Sequence, residues 1–190
     1  MTVIAGAIGK GSVWIGGDRS LTESGTSQLT HGPSKVFRNG EVVIGSAGSA
    51  RVGQLLQYIL VVPKRQTKTS ADRYICGQLV DSMRECLSKA GALTKKDGIE
   101  QMAGSLLVGY RGSLYMVDDE FFAYESSDGY DAVGSGSSVA LGALAVSRAE
   151  PNTRSRVLAA LRAAEHHDSA VRGPFDVVSL EPVIKTKKGD

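Results

Sequence analysis

The feature that most constrains the fold is the order in which two hydrophobic periods follow one another: hairpins, two helices, short strands, two helices, a last strand. The chain opens with a predicted hairpin. Thr2–Ile8 and Ser12–Gly17 flank a Gly9-Lys10-Gly11 turn. After a polar stretch from Ser20 to Ser34, a second hairpin is predicted, Lys35–Arg38 and Glu41–Ser46 around Asn39-Gly40. Asn-Gly between apolar runs suits a two-residue turn in which both residues take positive φ. From Ala50 the period becomes helical, with Val52, Leu55, Leu56 and Ile59 on one face and Pro63 as the stop. A second helix is predicted over Ala71–Ala90, where Ile75, Leu79, Met83 and Leu87 recur every four residues and Gly91 closes the run. Thr69 and Asp72 have capping-box spacing at its start. Strands are then predicted at Ser105–Tyr110, Ser113–Val117, Phe121–Tyr124 and Tyr130–Val133. Gly134-Ser135-Gly136-Ser137 opens a helix to Ser147, Pro151-Asn152 opens another, and Phe175–Leu180 is the final strand.

Strands grouped as hairpins imply antiparallel sheets, not the alternating βα order of a doubly wound chain. Two helix pairs need two apolar sheet faces to cover. The economical arrangement is a four-layer αββα sandwich, two antiparallel sheets between two helix layers. A length of 190 residues fits one domain, taken as residues 1–184, with residues 185–190 as a charged tail. Charge is nearly balanced, with 22 basic and 20 acidic residues, which argues against a nucleic-acid binder. No apolar run approaches the ~20 residues of a membrane span, and the start lacks the pattern of a signal peptide. Cys76 and Cys86 lie ten residues apart on one predicted helix. That is about 15 Å, whereas a disulfide needs Cα atoms within roughly 7 Å. Free thiols are expected, and with them a cytoplasmic setting.

Among residues able to carry chemistry, His166-His167 is a weak metal candidate, because adjacent helical positions point about 100° apart. Gly134-Ser135-Gly136 lacks the Lys of a phosphate-binding loop and the third Gly of a dinucleotide fingerprint. No cofactor and no metal are expected. Thr2 is more informative. Methionine removal is favoured before a small residue, and it would leave Thr2 with a hydroxyl and a free α-amine. That amine, with an unperturbed pKa of about 7.7–8.0, is partly neutral near pH 7. It can act as the base that makes a Thr hydroxyl nucleophilic.

Thr2 has company. Asp18 ends Ile15-Gly16-Gly17-Asp18-Arg19, Lys35 sits in Ser34-Lys35-Val36, and Ala47-Gly48 precedes the first helix. Gly134-Ser135-Gly136-Ser137 precedes the third, and Asp168 ends the fourth. In this order and spacing, over nearly the whole chain, the sequence resembles the proteasome β-subunit family of N-terminal-nucleophile hydrolases. Its compact length is most similar to the HslV-type peptidases. The resemblance implies the αββα fold, Thr2 as nucleophile and, through its amine, base, and Asp18 with Lys35 as a buried ion pair beside it. It further implies Gly48 N–H as the oxyanion donor, with Ser135 and Asp168 holding the amine. The implied substrate is a peptide or unfolded protein, and the implied assembly a homo-oligomeric ring fed by an ATPase unfoldase. The resemblance places Leu21, Ser46 and Ala50 near the substrate side chain, which implies a small or apolar preference.

Two departures stand out. Asp18 and Lys35 are 17 residues apart, one more than the family's usual interval, and Val171 replaces the Ser expected three residues after Asp168. Three readings follow: a threonine peptidase, an N-terminal-nucleophile amidase acting on other substrates, or an inactive ring-forming scaffold. Retention of Met1 would favour the last, because an acylated amine cannot act as a base.

Overall fold

The structure, a computed structural model, describes residues 1–23, 27–29 and 32–182. The predicted tail 185–190 and part of the polar stretch lie outside these residues. The first hairpin is β1 (Val3–Gly9) and β2 (Ser12–Asp18). A small two-stranded unit, β3 (Leu21–Glu23) and β4 (Ser27–Leu29), lies within the polar stretch, where no strand is predicted. The second hairpin is β5 (Val36–Asn39) and β6 (Val42–Gly48), followed by α1 (Ala50–Tyr58). A continuous helical rod comes next: α2 (Ala71–Arg73), a π-helical segment Tyr74–Leu79 and α3 (Val80–Lys89). Then come β7 (Leu93–Lys96), β8 (Ile99–Met102), β9 (Gly104–Tyr110), β10 (Ser113–Val117), β11 (Ala123–Glu125) and β12 (Tyr130–Gly134). The chain continues through α4 (Ser137–Val146) and α5 (Thr153–His167) to β13 (Phe175–Leu180).

Two antiparallel sheets result, one in the order β12-β1-β2-β13 and one in the order β11-β10-β9-β6-β5. The β1–β2 and β9–β10 hairpins turn on Lys10-Gly11 and Arg111-Gly112, whose φ values are all positive, 53°, 77°, 47° and 90°. That geometry matches the twist of paired strands. Strand alternation then assigns the layers. Ile4, Val13, Ile15, Val43, Leu107 and Leu114 pack between the sheets. Their neighbours Val3, Ala5 and Ala7 face Leu144, Val157 and Leu161 of α4 and α5. On the other side, Val42, Ile44, Leu106 and Val108 face Leu55, Leu56, Leu79 and Met83 of α1 and the rod. The order is helices, sheet, sheet, helices, the predicted αββα sandwich.

Four local predictions need correcting. The second hairpin turns on Gly40-Glu41 instead of Asn39-Gly40, since Asn39 still pairs with Val42 and, of the predicted turn pair, Gly40 alone has positive φ, 58°. The rod is capped one residue later than the Thr69–Asp72 spacing suggests: Ser70 Oγ accepts from Arg73 N–H at 3.2 Å. Helix α1 ends at Tyr58, before Pro63, where Asn39 Nδ2 donates to Leu56 O in its last turn and to Leu60 O just beyond it. The strand placed at Phe121–Tyr124 begins at Ala123, since Phe121 has φ 66°.

Candidate active site

The first hairpin delivers two of the predicted residues to one point. Asp18 closes β2, fully buried, and Thr2 precedes β1 at 4% exposure. A buried carboxylate must be paired or hydrogen-bonded, and Asp18 is both. Oδ1 accepts from Val3 N–H at 2.9 Å, and Oδ2 accepts from Ser20 N–H at 3.0 Å and from Lys35 Nζ at 2.8 Å. Lys35, just before β5, also donates to Thr2 Oγ1 at 2.5 Å. Its ammonium thus bridges the carboxylate and the hydroxyl. Burial pushes the Lys35 pKa down from its ordinary value, and the charge and hydrogen bond of Asp18 partly restore it.

The loop between β12 and α4 fixes the backbone of Thr2. Ser135 Oγ accepts from Thr2 N–H at 3.2 Å and donates to Thr2 O at 3.3 Å, and Gly136 N–H reaches Thr2 O at 3.3 Å. Gly134 has φ 98°, and a Cβ there would lie 2.3 Å from Thr2 O, so only glycine permits this approach. With Met1 attached, Thr2 N is a peptide nitrogen.

Gly48 ends β6 with φ 113°. Backbone N–H groups alternate sides along a strand. Ser46 N–H donates to Lys35 O and Ser49 N–H donates to Ala103 O on the opposite side. Gly48 N–H therefore points to the side of Lys35. Both Thr2 and Gly48 line a cleft of about 210 Å³, together with Leu21, Ser46 and Ala50.

Asp168 is placed differently from the others. It is the C-cap of α5, and its Oδ1 accepts from Ala170 N–H at 2.9 Å. No hydrogen bond joins it to Thr2 among the described residues. Val171 is fully buried, and a Cβ on Gly136 would lie 3.2 Å from its Cγ2. Methyl groups thus back the Ser135 loop where the resemblance predicts a hydroxyl.

Several lining residues escaped the sequence reading. Ser20 contributes its N–H to Asp18, a backbone role that no side-chain pattern reports. Gly53, Gln54, Gln57 and Tyr58 form the cleft wall. The signal for them was the polar side of α1, opposite buried Val52, Leu55 and Leu56.

No family model matches the chain, and no curated protein matches it. Solved structures do. BPH of Thiobacillus denitrificans aligns over 95% of this chain and 98% of its own, with TM-score 0.81 and 19% identity. The same protein in complex with epoxomicin aligns over the same shares at TM-score 0.80 and 19% identity. Eukaryotic HslV from Trypanosoma brucei covers 95% of this chain and 99% of its own, at 25% identity and TM-score 0.67. This chain has the fold of the BPH and HslV structures, which supports a place in the proteasome β-subunit/HslV-type family. That sandwich accounts for the site's construction. Residues far apart in sequence, such as Thr2 and Ser135, meet at one end of the two sheets.

Proposed function

We propose that the protein is a threonine peptidase that hydrolyses peptide bonds with Thr2 as nucleophile. One observation carries this reading: Lys35, held by buried Asp18, donates directly to Thr2 Oγ1. The HslV relative and the epoxomicin complex of the BPH relative support it.

In this scheme Met1 is removed and the Thr2 amine is free. Thr2 Oγ1 attacks the scissile carbonyl while its proton passes, through a water, to that amine. The Lys35 charge favours the alkoxide-like oxygen, and Asp18 offsets the cost of burying the charge. Gly48 N–H donates to the developing oxyanion. The C–N bond then breaks, the leaving amine takes the proton, and an ester links the acyl group to Thr2. Water attacks the ester, releasing the acid and restoring the hydroxyl. Ser135 positions Thr2. No metal or cofactor enters the scheme.

The test is cleavage of short fluorogenic peptides. Thr2→Ala should abolish it, and Thr2→Ser should retain the chemistry at reduced rate. Wild-type cleavage by Thr2→Ala would overturn the proposal. One observation favours an inactive scaffold instead: the Asp168 carboxylate accepts from Ala170 N–H and makes no hydrogen bond to Thr2 among the described residues. Mass spectrometry of the N-terminus separates the two, since retained Met1 would block the base.

We further propose that the domain spans residues 1–184 and assembles as a homo-oligomeric ring that shelters its sites and is fed by an ATPase unfoldase. Free Cys76 and Cys86 fit a cytoplasmic location.

A further inference from the structure

One residue holds both backbone polar groups of Gly32. The Gly32 N–H donates to Arg19 O at 2.9 Å, and Arg19 Nε donates to Gly32 O at 2.8 Å. Gly32 is buried, so both groups need partners. A Cβ there would lie 2.8 Å from Arg19 O and 2.7 Å from Leu21 Cγ, so this close approach requires glycine. Arg19 is itself tied to the last strand. Its N–H donates to Pro174 O at 3.1 Å, and its Nε lies 3.6 Å from Asp176 Oδ2 in β13.

This clasp stands between the two halves of the buried ion pair. Arg19 follows Asp18 directly, and Gly32 precedes Lys35 by three residues. Pro33 joins Gly32 to the Lys35 stretch, and its ring holds φ near about −65°, which stiffens the joint. Ser34 Oγ donates to Val36 O at 2.7 Å, and Lys35 O accepts from Ser46 N–H at 2.9 Å. Those bonds hold Lys35 from the β5 side, and the Arg19 clasp holds it from the other. Arg19 does not line the cleft. Its pair with Asp176 is 35% and 32% exposed, and ion pairs that reach solvent add little to stability.

We infer that Arg19 is a positioning residue, which by clasping Gly32 to β2 and β13 sets where the Lys35 ammonium meets Thr2 Oγ1. The inference rests on the peptidase reading. Its physical basis is the narrow tolerance of the Lys35 bridge. Nζ must reach Asp18 Oδ2 and Thr2 Oγ1 together, and a misplacement of about 1 Å in such a group can cost about 10²-fold in rate. Arg19 acts on that bridge through the backbone of residues 32–35.

The experiment uses the mature protein and fluorogenic peptides. Competent sites are titrated to completion with an electrophile selective for N-terminal threonine, so that rates are read per folded site. Arg19→Met keeps the aliphatic stem and removes every side-chain donor. It should lower kcat per titrated site at least about tenfold with KM unchanged, because Arg19 is not in the cleft wall. Gly32→Ala opens the same clasp from the other side and should lower kcat the same way with Arg19 intact. It decides the question if Arg19→Met yields no titratable sites. Wild-type kcat per site in Arg19→Met, or in Gly32→Ala where Arg19→Met does not fold, would overturn the inference while leaving the peptidase reading intact. So would a raised KM at unchanged kcat, which would assign Arg19 to substrate binding. Absence of cleavage by the wild-type protein would overturn both.

Discussion

At the residue scale, the site is a relay of one buried charge. Lys35 Nζ lies 2.8 Å from Asp18 Oδ2 and 2.5 Å from Thr2 Oγ1. Removing one partner of a buried pair strands the other, at a cost of roughly 3–5 kcal/mol. Lys35→Ala should therefore lose peptidase activity by at least about 10²-fold and also lower the urea midpoint. Lys35→Ala with full activity would show that the charge is dispensable. The pH profile has two limbs. Cleavage should rise as the Thr2 amine loses its proton, near its unperturbed pKa of about 7.7–8.0. It should fall again as Lys35 is neutralised, and because burial lowers the Lys35 pKa, that limb should lie below the ordinary lysine value of 10.5. The sign for stability follows from the same shift. Between the lowered folded pKa and 10.5 the unfolded chain binds more protons, so the Lys35 contribution to stability rises with pH across that window. A kcat/KM that stayed flat to pH 10.5 would contradict the role given to the ammonium.

At the element scale, caps and turns set where each helix starts, and these were the least legible features. The cap of α5 is Asn152, whose Oδ1 accepts from Ser155 N–H at 3.0 Å. Asn152→Ala should cost about 1 kcal/mol in urea unfolding; no change would mean the cap contributes nothing. The strong periodic runs were readable. Ile75, Leu79, Met83 and Leu87 are all fully buried, on the rod where their spacing placed a helix. The spacing did not reveal the π-helical segment Tyr74–Leu79, because the apolar residues keep one face through it. The β7–β8 hairpin was missed because Thr94, Lys95 and Lys96 are exposed and carry no apolar alternation. Its turn, Asp97-Gly98, has φ values of 51° and 84° and was a legible signal. At the site, Thr2, Asp18, Lys35 and Ser135 were nameable from short motifs at element ends, and the structure brings them together. Ser20 was not, since it acts through its backbone. Asp168 was nameable by position, yet its carboxylate binds its own turn.

At the scale of the whole molecule, close approach of the two sheets sets the architecture. Gly45 on β6 sits where a Cβ would lie 2.4 Å from Ile4 Cγ2 and 2.9 Å from Ile15 Cγ2, both on the facing sheet. Gly45→Ala should overpack this layer and cost about 1–3 kcal/mol. Because Ile4 is close to Thr2 in sequence, the same variant should also lower peptidase activity; unaltered stability would mean the sheets can part without cost. Helix α4 is apolar on all sides, and Val146 at its end is 86% exposed. Helices of that kind are normally covered, which fits the proposed homo-oligomer. Light scattering at micromolar concentration should show an assembly, and a lone monomer would contradict it. The most direct test of Thr2 as nucleophile is mass spectrometry of the protein after reaction with an electrophile selective for N-terminal threonine. The expected result is a chain lacking Met1 with a single adduct on Thr2, and none on Thr2→Ala. An adduct on Ser135, Cys76 or Cys86, or peptide cleavage by a chain that retains Met1, would contradict it.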